Sequence, residues 1–240
     1  MLETYADVLG VRCFPRGESL REDLSEPILT ASRELRSKPL INLESAMNHP
    51  CQALADWKTL DDLEIPSSGG QFVLSWAWHP RPLPLAVPSA IATMAARRGM
   101  DVTILRPDGY GLPPEILDKA QRAANKSGGS VRETADRGEA LDGAHVIYAK
   151  SWSSTADYSN AEADIARRAS LRDWCVDESW FAAAEEDAKF LHCLPVRRNV
   201  VVADEVLDGA RSHVVAQAAN RLPINQAVLL ELLTTDRKTA

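Results

Sequence analysis

The 240-residue chain has no CxxC pair, no glycine-rich phosphate loop, no long uncharged apolar run and no block of like charge. Each absence removes a class of protein. The four cysteines stand singly at positions 13, 51, 175 and 193. A disulfide framework is therefore not expected, and a reduced, cytoplasmic protein is the simplest reading. The longest apolar-leaning stretch without charge lies between Arg81 and Arg97 and is interrupted by Pro82, Pro84 and Pro88. It falls short of the roughly 18 apolar residues that a membrane span needs. No basic stretch followed by an apolar core opens the chain, so no export signal is expected. Acidic residues outnumber basic ones by 34 to 27, for a net charge of −7. Neither nucleic acid nor an anionic membrane surface is the expected partner of such a chain. What remains is ordinary globular composition, 45% apolar and 25% charged, with a length that suits one large domain or two modest ones.

Short apolar runs alternate with longer amphipathic ones, the pattern of an α/β protein with a mostly parallel sheet. Strands are predicted at 11–14, 40–43, 72–78, 102–105, 146–148, 174–176, 190–193 and 214–216. Helices are predicted at 19–36, 52–60, 114–124 and 225–233, from apolar residues at helical spacing and from proline at a first-turn position. The polar, breaker-rich segment 64–70 is the best linker. It separates a short first part from a longer second part.

In open α/β sheets ligands bind beyond the carboxyl ends of strands, so the strand ends carry the functional information. The junction after 72–78 reads His79-Pro-Arg-Pro and has prolines where a dinucleotide site needs glycines; a nicotinamide or flavin enzyme is disfavoured. At 190–199, Cys193 is followed by proline and by Arg197 and Arg198, combining a polarisable thiol with anion-binding guanidiniums. Taken alone, a cysteine in such a place is more often an inert buried side chain than a functional one. His49-Pro50-Cys51-Gln52 opens a helix, where free N–H groups suit a polar ligand. Two potential ligands without a second cluster make a poor metal site. His79 and Lys150 each follow a strand, and each alone is as consistent with structure as with function.

Together these segments are far more specific. His-Pro-Cys-Gln-Ala-Leu-Ala-Asp at 49–56 and His-Cys-Leu-Pro-Val-Arg-Arg-Asn at 192–199 resemble the signature motifs of the aspartate/ornithine carbamoyltransferase family. Within it the chain is similar to the branch acting on N-acylated ornithine. The supporting residues are Glu44 in Asn-Leu-Glu-Ser-Ala, the segment 76–84, Tyr-Ala-Lys-Ser-Trp at 148–152 and Ala-Asn-Arg-Leu at 219–222. Enzymes for free ornithine carry Asp-Val-Trp-x-Ser-Met-Gly where this chain has Tyr-Ala-Lys-Ser-Trp, which points away from free ornithine.

The resemblance implies two doubly wound parallel-sheet α/β domains, the first incomplete. Residues 1–64 would be the remainder of a carbamoyl-phosphate domain and 71–217 an ornithine-derivative domain. A C-terminal helix within 218–240 would pack back on the first. It implies carbamoyl transfer to N-acetylornithine in arginine biosynthesis, with no metal or organic cofactor and a homotrimeric assembly. Arg12 would lie near the carbamoyl carbonyl. His49 and Gln52 would bond the carbamoyl group, with Pro50 and Cys51 beside them. Cys193 and the Leu194 backbone would sit close to the reacting carbon, and Arg221 would add positive charge. Glu44, His79, Lys150 and Arg197 would hold the acylated amino-acid end of the second substrate. Family members also carry a phosphate-gripping Ser-x-Arg-Thr-Arg segment that these residues do not contain. Little turnover is therefore expected of the 240-residue polypeptide, and a non-catalytic remnant is the competing reading. Selectivity among acetyl-, succinyl- and free ornithine stays open at this level.

Overall fold

The computed structural model describes residues 4–34 and 38–235. In chain order the elements are β1 (Leu9–Arg12), α1 (Leu20–Ser25), α2 (Pro27–Glu34), β2 (Leu40–Glu44), α3 (Pro50–Asp62), β3 (Gln71–Trp76), α4 (Ala86–Arg98), β4 (Asp101–Leu105) and α5 (Pro114–Ser127). Then follow β5 (Ser130–Thr134), α6 (Arg137–Leu141), β6 (Val146–Lys150), α7 (Ala161–Arg168), β7 (Lys189–Leu191), α8 (Asp204–Leu207), α9 (Val214–Ala219) and α10 (Arg221–Thr235).

The larger sheet is parallel throughout, in the order β5-β4-β3-β6-β7. Its middle strand β3 is buried from Phe72 to Trp76, a near-continuous apolar run interrupted by Ser75, as a strand covered on both faces requires. From β3 the chain builds outward to β4 and β5, then returns to add β6 and β7 on the other side. The order reverses between β3 and β6, so the crevice at their carboxyl ends is where such a sheet binds ligands. Lys150 ends β6 at this point, and His79 lies just past β3.

The smaller sheet pairs β1 with β2 in parallel. Its register shifts between Val11 and Arg12, so Arg12 comes to lie opposite Glu44 rather than the preceding residue. A bulge of this kind re-aims a side chain, and here it brings a cation beside a carboxylate. Helix α3 starts with Pro50 in its first turn, where the missing N–H costs nothing. In α4 every residue except Arg97 is buried; its small alanines let it pack closely against α3, α5 and the sheet. Arg98 ties it to the first part, donating to Asp61 Oδ1 at 2.8 Å and to the Ile65 carbonyl at 2.6 Å. Helix α10 packs on α3 and α9.

Four local expectations need correction. Segment 214–216 is the first turn of α9, because Ala216-Gln217-Ala218-Ala219 continues a helix that its two valines had disguised. Segment 174–176 makes only an isolated bridge, Val176 to Val202. The helix expected at 19–36 is two helices, since Pro27 excludes helical backbone from the residue before it and Glu26 turns left-handed (φ 45°). Residues 35 and 36 of that expectation lie outside the described residues. Strand β5 was not expected: it is an edge strand of alternating exposure carrying Arg132 and Glu133, and it lacks the apolar signal of its neighbours.

Candidate functional site

Three chain segments converge on one cavity of about 540 Å³. The first wall is built by the small sheet and α3. Arg12 donates through Nη2 and Nε to Glu44 Oε2 at 2.7 and 3.2 Å, and its guanidinium lies 4.5 Å above the Phe14 ring. His49 precedes α3, with Nε2 4.0 Å from the same Glu44 oxygen. Cys51 and Gln52 follow from the first turn. The opposite wall comes from the ends of β6 and β7, which present Lys150, Cys193, Leu194 and Pro195. Leu194 has left-handed backbone (φ 48°), uncommon for a residue with a side chain, and its N–H donates to His192 Nδ1 at 3.0 Å. The first two turns of α10 close the cavity with Arg221 and Asn225.

Of the residues singled out from sequence, Arg12, Glu44, His49, Cys51, Gln52, Lys150, Cys193, Leu194 and Arg221 line this cavity. Pro50, His79 and Arg197 do not. Pro50 faces a separate groove with Trp57 and Met94. His79 is engaged at Nδ1 by the N–H of Arg81, and Arg197 is exposed. His79 lies within electrostatic reach of both Arg197 and Lys150, whose charges add to burial in lowering its pKa. His79 and Arg197 mark a rim beyond the cavity on its β3–β6 side.

The cavity is rich in unpaired polar capacity. Arg221 donates through Nη1 to Gln52 Oε1 at 2.6 Å, whereas its buried Nε has no acceptor among the described residues. His49 Nδ1 and Asn225 Oδ1 are likewise buried without partners. Such groups cost free energy unless a ligand satisfies them. Arg12, Lys150 and Arg221 bring positive charge and only Glu44 opposes it, so the cavity favours an anion. Burial lowers the His49 pKa to about 4; Arg221, Arg12 and Lys150 add to this and Glu44 opposes it. The imidazole is therefore neutral near pH 7, able to offer one N–H and one acceptor. Burial raises the Cys193 thiol, and Cys51 likewise, which makes both poor nucleophiles. Among the described residues no group of three or more His, Cys, Asp or Glu side chains is placed to hold a metal ion.

The Asp/Orn binding domain of aspartate/ornithine carbamoyltransferase matches residues 86–232. N-acetylornithine carbamoyltransferase from Xanthomonas campestris pv. campestris is 36% identical over 240 residues, which is 99% of this chain and 70% of that protein. The chain belongs to the aspartate/ornithine carbamoyltransferase family. N-succinylornithine carbamoyltransferase of Bacteroides thetaiotaomicron is 35% identical over 230 residues, 95% of this chain and 66% of its own. A crystal structure of acetylornithine transcarbamylase complexed with acetylcitrulline superposes with a TM-score of 0.92 at 36% identity, covering 96% of this chain and 70% of that one. The family is one of enzymes, and the parallel α/β architecture is shared with these carbamoyltransferase structures.

Three further residues line or back this cavity, with weak or no signal in the sequence. Asn225 stands one helical turn after Arg221, so the arginine pointed toward it. Asp56 lay within the motif at 49–56, four residues after Gln52 and hence on the same helix face. Gln217 gives no signal in the sequence, because it meets Asp56 across 161 residues.

The buried histidines also set an acid limit on stability. His49 and His192 have pKa values lowered to about 4 and about 3, mainly by burial, and His79 and His213 are lowered too. Unfolding exposes imidazoles with the ordinary value near 6.5, which take up protons below that pH. Their contribution is therefore complete above about pH 6.5 and declines as pH falls toward the folded values. Asp56, raised to about 7 by burial, works in the opposite direction, but one carboxyl faces four imidazoles. The melting temperature should fall as pH is lowered from about 7 to 4.5, and replacing His192 with Gln should flatten the decline. A melting temperature that holds or rises over that range would contradict the assignment.

Proposed function

We propose that the chain transfers the carbamoyl group of carbamoyl phosphate to the δ-amine of N-acetyl-L-ornithine, giving N-acetyl-L-citrulline and phosphate as a step of arginine biosynthesis. The observation that carries this reading is the single cavity, in which Arg12, His49, Gln52 and Arg221 meet Lys150, Cys193 and Leu194. In this reading residues 1–64 and the helix in 218–240 hold carbamoyl phosphate, and 71–217 hold the acceptor.

The unprotonated δ-amine attacks the carbamoyl carbon, a C–N bond forms, and negative charge gathers on the carbamoyl oxygen. Arg12 and a neutral His49 N–H donate to that oxygen, the kind of stabilisation that contributes most to rate. Gln52 accepts from the carbamoyl NH₂ and the Leu194 backbone flanks it. Collapse of the intermediate breaks the C–O bond, and phosphate departs toward the Arg221 guanidinium, whose planar fork suits it. The amine's proton leaves with the phosphate or to solvent. Cys193 packs beside the reacting carbon and forms no bond to it. Lys150, with His79 and Arg197 on the rim, engages the carboxylate and acyl groups of the acceptor, and Glu44 meets it from the Arg12 side.

The relatives named for N-acetylornithine support the acetyl acceptor. Incubation of the chain with ¹⁴C-carbamoyl phosphate and each of three acceptors tests it. Label should enter N-acetylcitrulline, slowly because the Ser-x-Arg-Thr-Arg segment is not among these residues, with free ornithine at least about tenfold poorer, since its α-ammonium places a positive charge where the acetyl acceptor has a neutral amide. Preference for N-succinylornithine would reassign Lys150 and Arg197 to its extra carboxylate. Preference for ornithine, or no transfer to any of the three, would contradict the proposal.

A further inference from the structure

Behind the cavity lies a carboxylate that the chemistry above does not use. Asp56 is fully buried in α3. Its Oδ1 accepts from Gln52 Nε2 at 2.7 Å and from Gln217 Nε2 at 2.6 Å, and its Oδ2 accepts from the Tyr148 hydroxyl at 3.1 Å. One side chain thereby joins α3 to β6 and α9, elements that are about 90 and 160 residues away in sequence.

An ionised carboxylate only accepts hydrogen bonds. That property dictates how both glutamine amides are turned. Each must direct its NH₂ to Asp56 and its carbonyl away. The Gln52 carbonyl consequently points to Arg221 Nη1 at 2.6 Å, at the cavity wall. The Gln217 carbonyl accepts from the N–H of His192 at 3.0 Å, one residue before Cys193. A flipped Gln52 would set its carbonyl against the carboxylate and its NH₂ against a guanidinium donor, losing two hydrogen bonds and gaining two repulsions.

We infer that Asp56 is a positioning residue for carbamoyl transfer, aiming the Gln52 carbonyl at the carbamoyl NH₂ while holding the Cys193–Leu194 segment through Gln217. The inference rests on the function proposed above and adds to it the group that orients two walls of the cavity at once. The charged and titratable groups facing Asp56 are Arg221 from α10, Tyr148 from β6 and Cys193 beyond β7. Burial raises Asp56 to about 7 despite its three hydrogen bonds and Arg221. Protonation would turn charge-assisted bonds into weaker neutral ones and deprive the Tyr148 hydroxyl of its acceptor. Carbamoyl-phosphate affinity should therefore decline as pH falls through about 7.

The test uses the full chain in two readouts. The ¹⁵N–¹H side-chain amide signals of Gln52 and Gln217, followed without ligand from about pH 5 to 9, should titrate together with a midpoint near 7, and in Asp56→Asn they should stay flat. Amide signals of both glutamines that are unmoved by Asp56→Asn at about pH 8, or that titrate in the variant, overturn the inference. Calorimetric titration with carbamoyl phosphate at about pH 8 should show Asp56→Asn binding on the order of tenfold more weakly, but changing affinity less than about threefold in a Gln52→Ala background. Equal losses in both backgrounds, or none in either, would make Asp56 merely structural. Failure of the unaltered chain to bind carbamoyl phosphate would instead remove the function on which the inference rests, and the amide titration would still report the orientation. Should Asp56→Asn not fold, Tyr148→Phe deletes one donor to the carboxylate and should move the amide midpoint upward; an unmoved midpoint overturns the inference.

Discussion

Replacing Arg221 with Ala should weaken carbamoyl-phosphate binding on the order of 100-fold, because truncating one member of a buried, hydrogen-bonded charge pair costs about 2–5 kcal/mol. Arg221 opens α10, with one residue between it and the end of α9, at the wall of the cavity. One nitrogen is held by Gln52 Oε1 at 2.6 Å, so the guanidinium is pre-oriented, and its buried Nε has no acceptor among the described residues. A phosphate oxygen would supply one. Stability should barely change, since a first-turn arginine with an unsatisfied nitrogen contributes little to folding, and the melting temperature should move by no more than about 2 °C. Calorimetry and thermal melting on the same samples check both halves. Equal affinities for the two chains would place the phosphate elsewhere.

Replacing Arg168 with Leu should do the reverse and strike the fold first. Arg168 and Asp164 are both 1% exposed and meet at 2.7 Å. The guanidinium also donates to the carbonyls of His79 at 3.0 Å, Arg81 at 2.9 Å and Trp152 at 3.2 Å. Asp164 in turn accepts from the Tyr110 hydroxyl at 2.8 Å and the Ser154 N–H at 2.9 Å. Removing one member of such a pair leaves an uncompensated buried charge and costs about 3–5 kcal/mol. Against a total stability of about 5–15 kcal/mol, that is a large fraction. At roughly 2–4 °C per kcal/mol for a chain of this size, the melting temperature should drop by about 6–20 °C. The double variant Asp164→Leu/Arg168→Leu should recover only part of the loss, since Tyr110 and Ser154 lose their acceptor. A drop below about 3 °C in the single variant would show that water or another group reaches Asp164. Because Arg168 pins the carbonyls on either side of Pro80, acceptor binding at the His79 rim should also suffer in any fraction that folds.

The sequence was informative where burial is two-sided and contacts are local. Strands β3, β4 and β6 are mostly apolar and buried along their middles, and Pro50 and Pro114 mark helix starts without reference to anything distant. It was uninformative where a neighbour decides. Strand β5 is polar because one edge faces solvent, and Val214-Val215 reads as strand until the helix that continues through Ala219 is seen. The candidate site divides the same way. Residues at strand ends and in the first turn of α3 could be chosen from position and chemistry, and most of them line the cavity. Pro50 could not be separated from its neighbours, because a residue on the first helical turn may face either side and only packing shows which. Gln217 was invisible for a different reason: its partner Asp56 is 161 residues away, and no local pattern encodes that approach.

The central claim is that this one cavity holds the carbamoyl group and the acylated amino acid together. The most direct measurement is a crystal structure of the full chain with N-acetyl-L-citrulline and phosphate. The account predicts the ureido group between His49, Gln52 and Leu194, phosphate on Arg221, and the amino-acid end toward Lys150 and His79. Ligand bound with its ureido group away from His49 and Gln52, or no ligand in the cavity at saturating concentration, would contradict it.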